Sequence, residues 1–402
     1  MIRYLTAGES HGKALTVIID GIPSNLYLQN SYLNYHLKRR QAGYGRGHRM
    51  KIESDTAEIL SGIRFQKTIG SPVSLLIRNK DWENWKNQMS PEAGKKNIEK
   101  VTIPRPGHAD LVGICKFNYN DIRNSIERSS ARETAARVAA GSVARRLLEE
   151  FDIFIGSYVE SIGGEYPDQN MFENLTQNKL AKNFSAWELS VEADKSDVRV
   201  FDKDHENRII DRIKQVKKKG DTLGGTFVTI ASGVPAGLGS FMQYDLKLDA
   251  DIASAMMSIN AVKAVSIGTG FESAERTGSE SHDEIIRSRE RLIRKTNRAG
   301  GIEGGISNGM PVIVRSAMKP IATLMSPVES VDLSTMKKIE SRRERSDFVA
   351  VPACAVISES MLAWVLAKQF LIKFGGDSFE ELKDNYNNYN KKLFSRIKRN
   401  FK

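Results

Sequence analysis

The alanine-rich segment that starts at Ser130 constrains this chain most. Ser130-Ala131-Arg132-Glu133 has the spacing of a capping box, and an apolar run follows it, which predicts a helix from Ser130 to about Glu150. Ala135, Ala136, Ala139 and Gly141 keep one side of that helix thin, so another element can approach its backbone closely. Such a helix belongs at the centre of a fold rather than on its surface.

The rest of the chain reads as short strands with few long helices. Runs 14–19, 73–77, 226–230 and 310–316 are rich in β-formers, and turn-prone residues close most of them. A second helix is predicted from near Pro352, a favourable first-turn residue, through Met361, Leu362 and Leu366 to a stop at Gly375. Phe379, Leu382, Tyr386, Tyr389 and Leu393 then form one apolar helical stripe. That stripe is expected to pack on the body or on a neighbouring subunit. No repeat of 20–50 residues is visible. The organisation predicted is one catalytic domain over 1–376 with a basic amphipathic tail over 377–402. Segment 81–101, with Trp82 and Trp85 among polar residues, reads as an exposed loop whose tryptophans either close over a site or pack at an edge.

Composition narrows the class. Of the 402 residues 40% are hydrophobic, enough for a sizeable core, and the 31 glycines imply many tight turns. Two cysteines, Cys115 and Cys354, are too few for a disulfide framework and lack metal spacing; both read as buried reduced thiols. The first residues lack a signal-peptide core, and no run approaches the ~18 apolar residues of a membrane span, so a cytoplasmic location without membrane attachment is expected. The net charge of +11 fits either a nucleic-acid footprint or a site for polyanionic small molecules. Lysines are dispersed, as at 214–219. Several arginines instead sit beside glycines and histidines, where a planar fork can grip phosphate or carboxylate. Nucleic acid is therefore not the expected partner.

Three familiar motifs fail. Residues 8–13 resemble a P-loop, but the glycine spacing is one short and Ala14 stands where Ser or Thr is needed. Gly268-Thr269-Gly270 lacks the third glycine of a dinucleotide fingerprint. The six histidines show no zinc spacing, and no metal is expected.

What remains is a histidine and arginine constellation. His11 sits in a polar turn before an apolar strand, and His108 lies between Pro106-Gly107 and Ala109-Asp110. Histidine moves protons near neutral pH, and a neighbouring phosphate favours its charged form. Arg128 and Arg132 flank the start of the capped helix, where cations are disfavoured and an anion would be welcome. Arg40, Arg46 and Arg49 are punctuated by Gly43, Gly45 and Gly47. From chemistry alone this is an enzyme that binds a phosphate ester among arginines and moves protons with two histidines.

Seven runs carry a resemblance across most of the chain: GESHG at 8–12, RRQAGYGRGHRMKIESD at 39–55, RPGHAD at 105–110, RSSARET at 128–134, GGIEGGISNG at 300–309, KPIAT at 319–323 and RSD at 345–347. In this order they resemble the chorismate synthase family. The resemblance implies an α+β fold, a β-α-β sandwich with helices held between antiparallel sheets, assembled as a homotetramer. It implies elimination of phosphate from 5-enolpyruvylshikimate 3-phosphate to give chorismate, requiring reduced FMN with no net redox change. NADPH would enter only as an indirect reductant, through a separate flavin reductase where one is needed.

By resemblance His11, His108 and Asp347 are catalytic, and Arg40, Arg46, Arg49, Arg105, Arg132 and Arg345 bind substrate. Arg128, Ser129, Ser130, Asn260, Ala261, Gly304, Lys319, Pro320, Ile321, Ala322, Thr323 and Arg345 match flavin contacts. Ile321 and Ala322 stand where some relatives carry hydroxyls, leaving Thr323 as the remaining donor. Two other classes compete. A flavin oxidoreductase would consume NADPH stoichiometrically, and a basic RNA-binding protein would show steep salt dependence and release no phosphate.

Overall fold

Two sets of strands each close into an antiparallel sheet, the first with buried residues alternating along its strands and the second with its first two strands buried almost throughout. The computed structural model describes residues 2–47, 54–92, 98–180, 184–288, 291–343 and 347–400. The first sheet holds β1 (Arg3–Ala7), β2 (Ala14–Asp20), β3 (Ala57–Ser61) and β4 (Val73–Arg78) in the order β1-β2-β4-β3. Leu15, Val17 and Ile19 of β2 and Val73, Leu75 and Ile77 of β4 all point to the core face. On the opposite face Leu5 and Ile18 are cross-strand partners and both stay exposed. The second sheet holds β5 (Phe154–Ile162), β6 (Gly225–Ser232), β7 (Val262–Ile267) and β8 (Val312–Met318) in the order β5-β6-β8-β7. Both sheets thus share one strand order.

Helices fill the space between the sheets: α1 (Asn30–Gln41), α4 (Thr134–Glu149) and α7 (Val351–Phe374). Here α4 faces the first sheet and α7 the second, with α1 against both helices. The close approach expected of the alanine-rich helix occurs at Gly141. A Cβ there would lie 2.5 Å from the carbonyl oxygen of Ser360 on α7, so only glycine fits. The two middle helices are therefore buried nearly all round. Outside the second sheet, α5 (Ala186–Ala193) covers β5, which is buried on both faces for that reason. This is the α+β sandwich expected, with helices between antiparallel sheets.

Three local expectations need correction. Ser130 caps the amide of Arg132, but a single 3-10 turn, Ala131–Glu133, precedes α4. The Glu133 carboxylate does not close the capping box; it binds the Thr6 hydroxyl and Arg137 instead, because β1 lies alongside. Second, α7 is long and apolar enough, by length and composition, to cross a membrane, contrary to the expectation that no run approaches this. It is apolar because sheet and helices cover it from all sides, and 83% of its most apolar window is buried. Third, only Cys354 is buried. Cys115 is exposed on α2 (Asp110–Phe117), alongside exposed Leu111, Val112 and Phe117. Its apolar neighbours in sequence mark a surface face of α2.

The tail forms α8 (Phe379–Asn400), and its stripe packs on the body. Leu382 is fully buried, Tyr386 lies against Phe151, Phe370 and Phe374, and the Tyr389 hydroxyl donates to the carbonyl of Ala236 at 2.9 Å.

Candidate active site

The loop between β1 and β2 carries His11, and α3 (Arg123–Ser129) holds it. The Ser10 amide donates to the Glu127 carbonyl at 3.1 Å. Glu127, with its side chain 1% exposed, accepts from the His11 amide at 2.7 Å and contacts His11 Nδ1 at 2.9 Å. Burial alone would raise the Glu127 carboxyl, but these bonds and Arg123 outweigh it and hold the group below its ordinary range. The Trp85 ring stacks on His11 with centroids 4.0 Å apart. Segment 81–101 is thus not simply an exposed loop: the short helix Trp82–Trp85 brings one tryptophan onto the predicted acid.

Beside this loop two predicted arginines converge. Arg40, at the carboxyl end of α1, donates to Asp55 at 3.2 Å, to the Thr134 hydroxyl at 3.0 Å and to the Ala131 carbonyl at 3.1 Å. Arg132 also binds Asp55, and donates to Asn79 at 2.9 Å. Asn79 in turn donates to the Gly12 carbonyl at 2.7 Å, and the Ser130 hydroxyl reaches that of Ser10 at 3.1 Å. The anion expected near the helix start is, within this chain, Asp55. Arg46 pairs with Asp347 at 2.9 Å, and Asp347 also accepts from the Gly47 amide at 2.6 Å. Arg40 is pushed down to about 10, chiefly by burial and then by Arg132 and Arg46, against the opposing pull of Asp55 and Asp347. Positive charge is crowded here, and an incoming anion would relieve it.

A second cluster forms around Arg105, which donates to Asp110 at 2.9 and 3.0 Å and to the Thr323 hydroxyl at 3.1 Å. His108 Nδ1 lies 2.6 Å from Asp110, whose carboxyl is fully buried. Burial opposes ionisation of Asp110, but His108 and Arg105 hold it well below the carboxylate range. Lys319 donates to the Gly107 carbonyl at 2.6 Å, and its amide donates to the Ala261 carbonyl at 2.9 Å. Next to Ala261, Asn260 donates to the Ser129 carbonyl at 3.0 Å. These bonds join segments 105–110, 128–130, 260–261 and 319–323 into one surface.

Several predicted residues take other places. Arg128 is exposed and donates to the Gly8 and Thr6 carbonyls at 3.2 and 3.0 Å. It ends α3, where a cation is favoured, so its conflict with the next helix is smaller than expected. The Ser129 hydroxyl donates back to the Ser125 carbonyl at 2.5 Å. Ile321 offers only its carbonyl, which accepts from the Thr222 hydroxyl at 2.7 Å; Ala322 is half-buried and Pro320 exposed. Gly304 is exposed at the tip of the ribbon joining Ile302–Glu303 to Ile306–Ser307. Its neighbour Gly305 accepts from Leu248 at the amino end of α6 (Leu248–Met257), whereas Asn260 follows the carboxyl end, about 15 Å away along a helix of that length. None of the bonds that build that surface involves Gly304. Arg49 and Arg345 lie outside the described residues.

Trp85, one of the two tryptophans read as closing over a site or packing at an edge, lies on His11, whereas four other residues that hold the predicted ones were missed: Glu127, Asp55, Asn79 and Asp110. Asp110 and Asp55 close the runs RPGHAD and RRQAGYGRGHRMKIESD, and Glu127 directly precedes RSSARET, which is the signal available.

Comparison with known proteins gives the same result as the seven runs. A family model described as chorismate synthase matches residues 2–371. The chain belongs to the chorismate synthase family. Among relatives named chorismate synthase, one from Chlorobaculum tepidum is 51% identical over 401 residues, covering 99% of this chain and all of its own. One from Aquifex aeolicus is 52% identical over 394 residues, covering 96% of this chain and 97% of its own. A crystal structure of chorismate synthase superposes with a TM-score of 0.79 at 43% identity and 98% coverage of each chain.

Proposed function

We propose that this chain converts 5-enolpyruvylshikimate 3-phosphate to chorismate and phosphate, a carbon–oxygen lyase reaction that requires reduced FMN and leaves no net redox change. The observation that carries the reading is the crowding of Arg40, Arg46 and Arg132 around Asp55 and Asp347, beside the loop of His11. A phosphate ester with two carboxylates offers the acceptors these guanidiniums can grip, and Arg105 extends the run toward Thr323. Arg49 and Arg345 are assigned to the same substrate by resemblance.

The residues also fit a flavin. The Asn260 side-chain oxygen is buried with no hydrogen-bond partner, an acceptor suited to a ring N–H. Lys319 and Arg128 would provide charge and Thr323 a hydroxyl for the rest of the cofactor, with Ala261 alongside; Ser129, Ser130 and Gly304 are assigned only by resemblance. Reduced FMN, when bound, supplies electron density to the allylic system and recovers it as the hydrogen leaves. His11 would deliver a proton to the leaving phosphate from Nε2, since Glu127 occupies Nδ1. His108, oriented by Asp110 and Arg105, would face the cofactor, and Asp347 would lie toward the departing hydrogen. The same reading carries a homotetramer, a cytoplasmic location and an external source of reducing equivalents, with NADPH at most indirect.

The test is substitution of both histidines. His11→Ala and His108→Ala are each expected to lose about 10² to 10⁴ in rate while keeping the wild-type circular dichroism spectrum. Near-normal phosphate release by both would sink the assignment.

A further inference from the structure

We propose that Glu127 is a positioning residue that sets the tautomer of His11, holding a proton on Nδ1 so that Nε2 is the nitrogen that exchanges protons with the substrate. This rests on the reading of His11 given above and adds a residue to it.

Glu127 grips the His11 loop at three points. Its carbonyl accepts from the Ser10 amide at 3.1 Å, one carboxylate oxygen accepts from the His11 amide at 2.7 Å, and the other meets His11 Nδ1 at 2.9 Å. An ionised carboxylate only accepts, so Nδ1 must be the donor whether the ring is neutral or charged. The carboxylate is ionised because its partners outweigh its burial. Arg123, one turn earlier on α3, donates to the same oxygen at 3.4 Å and places its guanidinium 5.0 Å from the Trp85 ring. Trp85 stacks on the imidazole and is itself held by its indole N–H on Asp81 at 2.9 Å. Edge and face of the imidazole are thereby both fixed. The charged groups that hold the ring and its stacking partner are Glu127 and Arg123 from α3 and Asp81 on the Trp85 indole.

The consequence differs from that of a structural ion pair. Glu127→Gln preserves size but offers one oxygen and one amide. With the oxygen kept on the His11 amide, the side-chain NH₂ faces Nδ1 and forces it to accept, moving the neutral ring's proton to Nε2 and opposing double protonation.

Neutron diffraction from deuterium-exchanged crystals at neutral pH reads this directly. Wild-type protein is expected to show deuterium on His11 Nδ1, and Glu127→Gln to show the neutral ring with deuterium on Nε2 alone. Wild-type protein with a bare Nδ1 overturns the proposal with no variant needed, and so does a Glu127→Gln ring that keeps its Nδ1 deuterium. In solution Glu127→Gln is expected to lower kcat with KM nearly unchanged. A switched tautomer with an unchanged kcat would uphold the role of Glu127 and reject instead the reading of His11 as the acid.

Discussion

Glu359, in the middle of α7, is fully buried and carries a network of buried arginines, one of which, Arg39, precedes the predicted substrate residue Arg40 on α1. Its carboxylate accepts from Arg39 at 2.7 and 3.0 Å, from Arg199 at 3.2 Å, from Arg145, and from the hydroxyls of Ser157 and Ser190 at 2.6 and 2.8 Å. Asp194 is the other carboxylate, bound to Arg39 at 2.6 Å and to Arg199. Glu359→Gln therefore leaves three buried guanidiniums facing one carboxylate. Removing one partner of a buried pair costs about 3–5 kcal/mol, a large share of the ~5–15 kcal/mol that holds a typical domain together. At roughly 2 °C per kcal/mol for a long chain, the melting temperature should fall by about 6–10 °C.

The pH dependence has a definite sign. Burial would raise the Glu359 carboxyl, but Arg39 and Arg145 hold it well below the ordinary range. A depressed folded value stabilises above the unfolded value, near 4.3, and that stability is lost as pH falls toward the folded one. The gap between wild type and Glu359→Gln should be level from about pH 5 to 8 and narrow below about pH 4. Thermal unfolding followed by circular dichroism across this range is the assay. A fall under about 2 °C at pH 7, or a gap that widens in acid, would refute the reasoning.

Other consequences are as direct. Gly141→Ala would ordinarily gain about 1 kcal/mol in a helix, yet here its Cβ meets Ser360, so thermal melts should show a loss of about 1–3 kcal/mol. Asp55→Ala removes the carboxylate shared by Arg40 and Arg132; its melting temperature should drop, and inorganic phosphate should raise it more than in wild type. An equal rise in both would mean that phosphate does not meet these arginines. Iodoacetamide should label Cys115 in the native protein and Cys354 only after unfolding, because burial pushes the Cys354 thiol up to about 12. Mass spectrometry of the native digest checks this.

Elements whose periodicity answers to one core were legible in the sequence. Strands β2 and β4 alternate because one face is buried, and Ala135, Ala139 and Gly141 announced a helix that another helix approaches. The candidate site was legible as a set of arginines and histidines in the seven runs, but not in what holds them. Glu127 reaches His11 across 116 positions and Asp55 reaches Arg132 across 77, and no local pattern encodes such contacts. Exposure failed where context decides it: Cys115 reads as apolar by its neighbours, yet those neighbours are themselves on the surface. The capping box failed for a similar reason, since Glu133 answers to Thr6 and Arg137 rather than to the turn it ends.

The central claim is that this constellation eliminates phosphate with a flavin that is required and not consumed. Purified protein, 5-enolpyruvylshikimate 3-phosphate and chemically reduced FMN should be combined without air, with chorismate absorbance, phosphate release and flavin oxidation followed together. Equal amounts of chorismate and phosphate, in many-fold excess over FMN that stays reduced, is the predicted result. Flavin oxidised in step with substrate loss, or no phosphate from a folded protein that binds FMN, would contradict it.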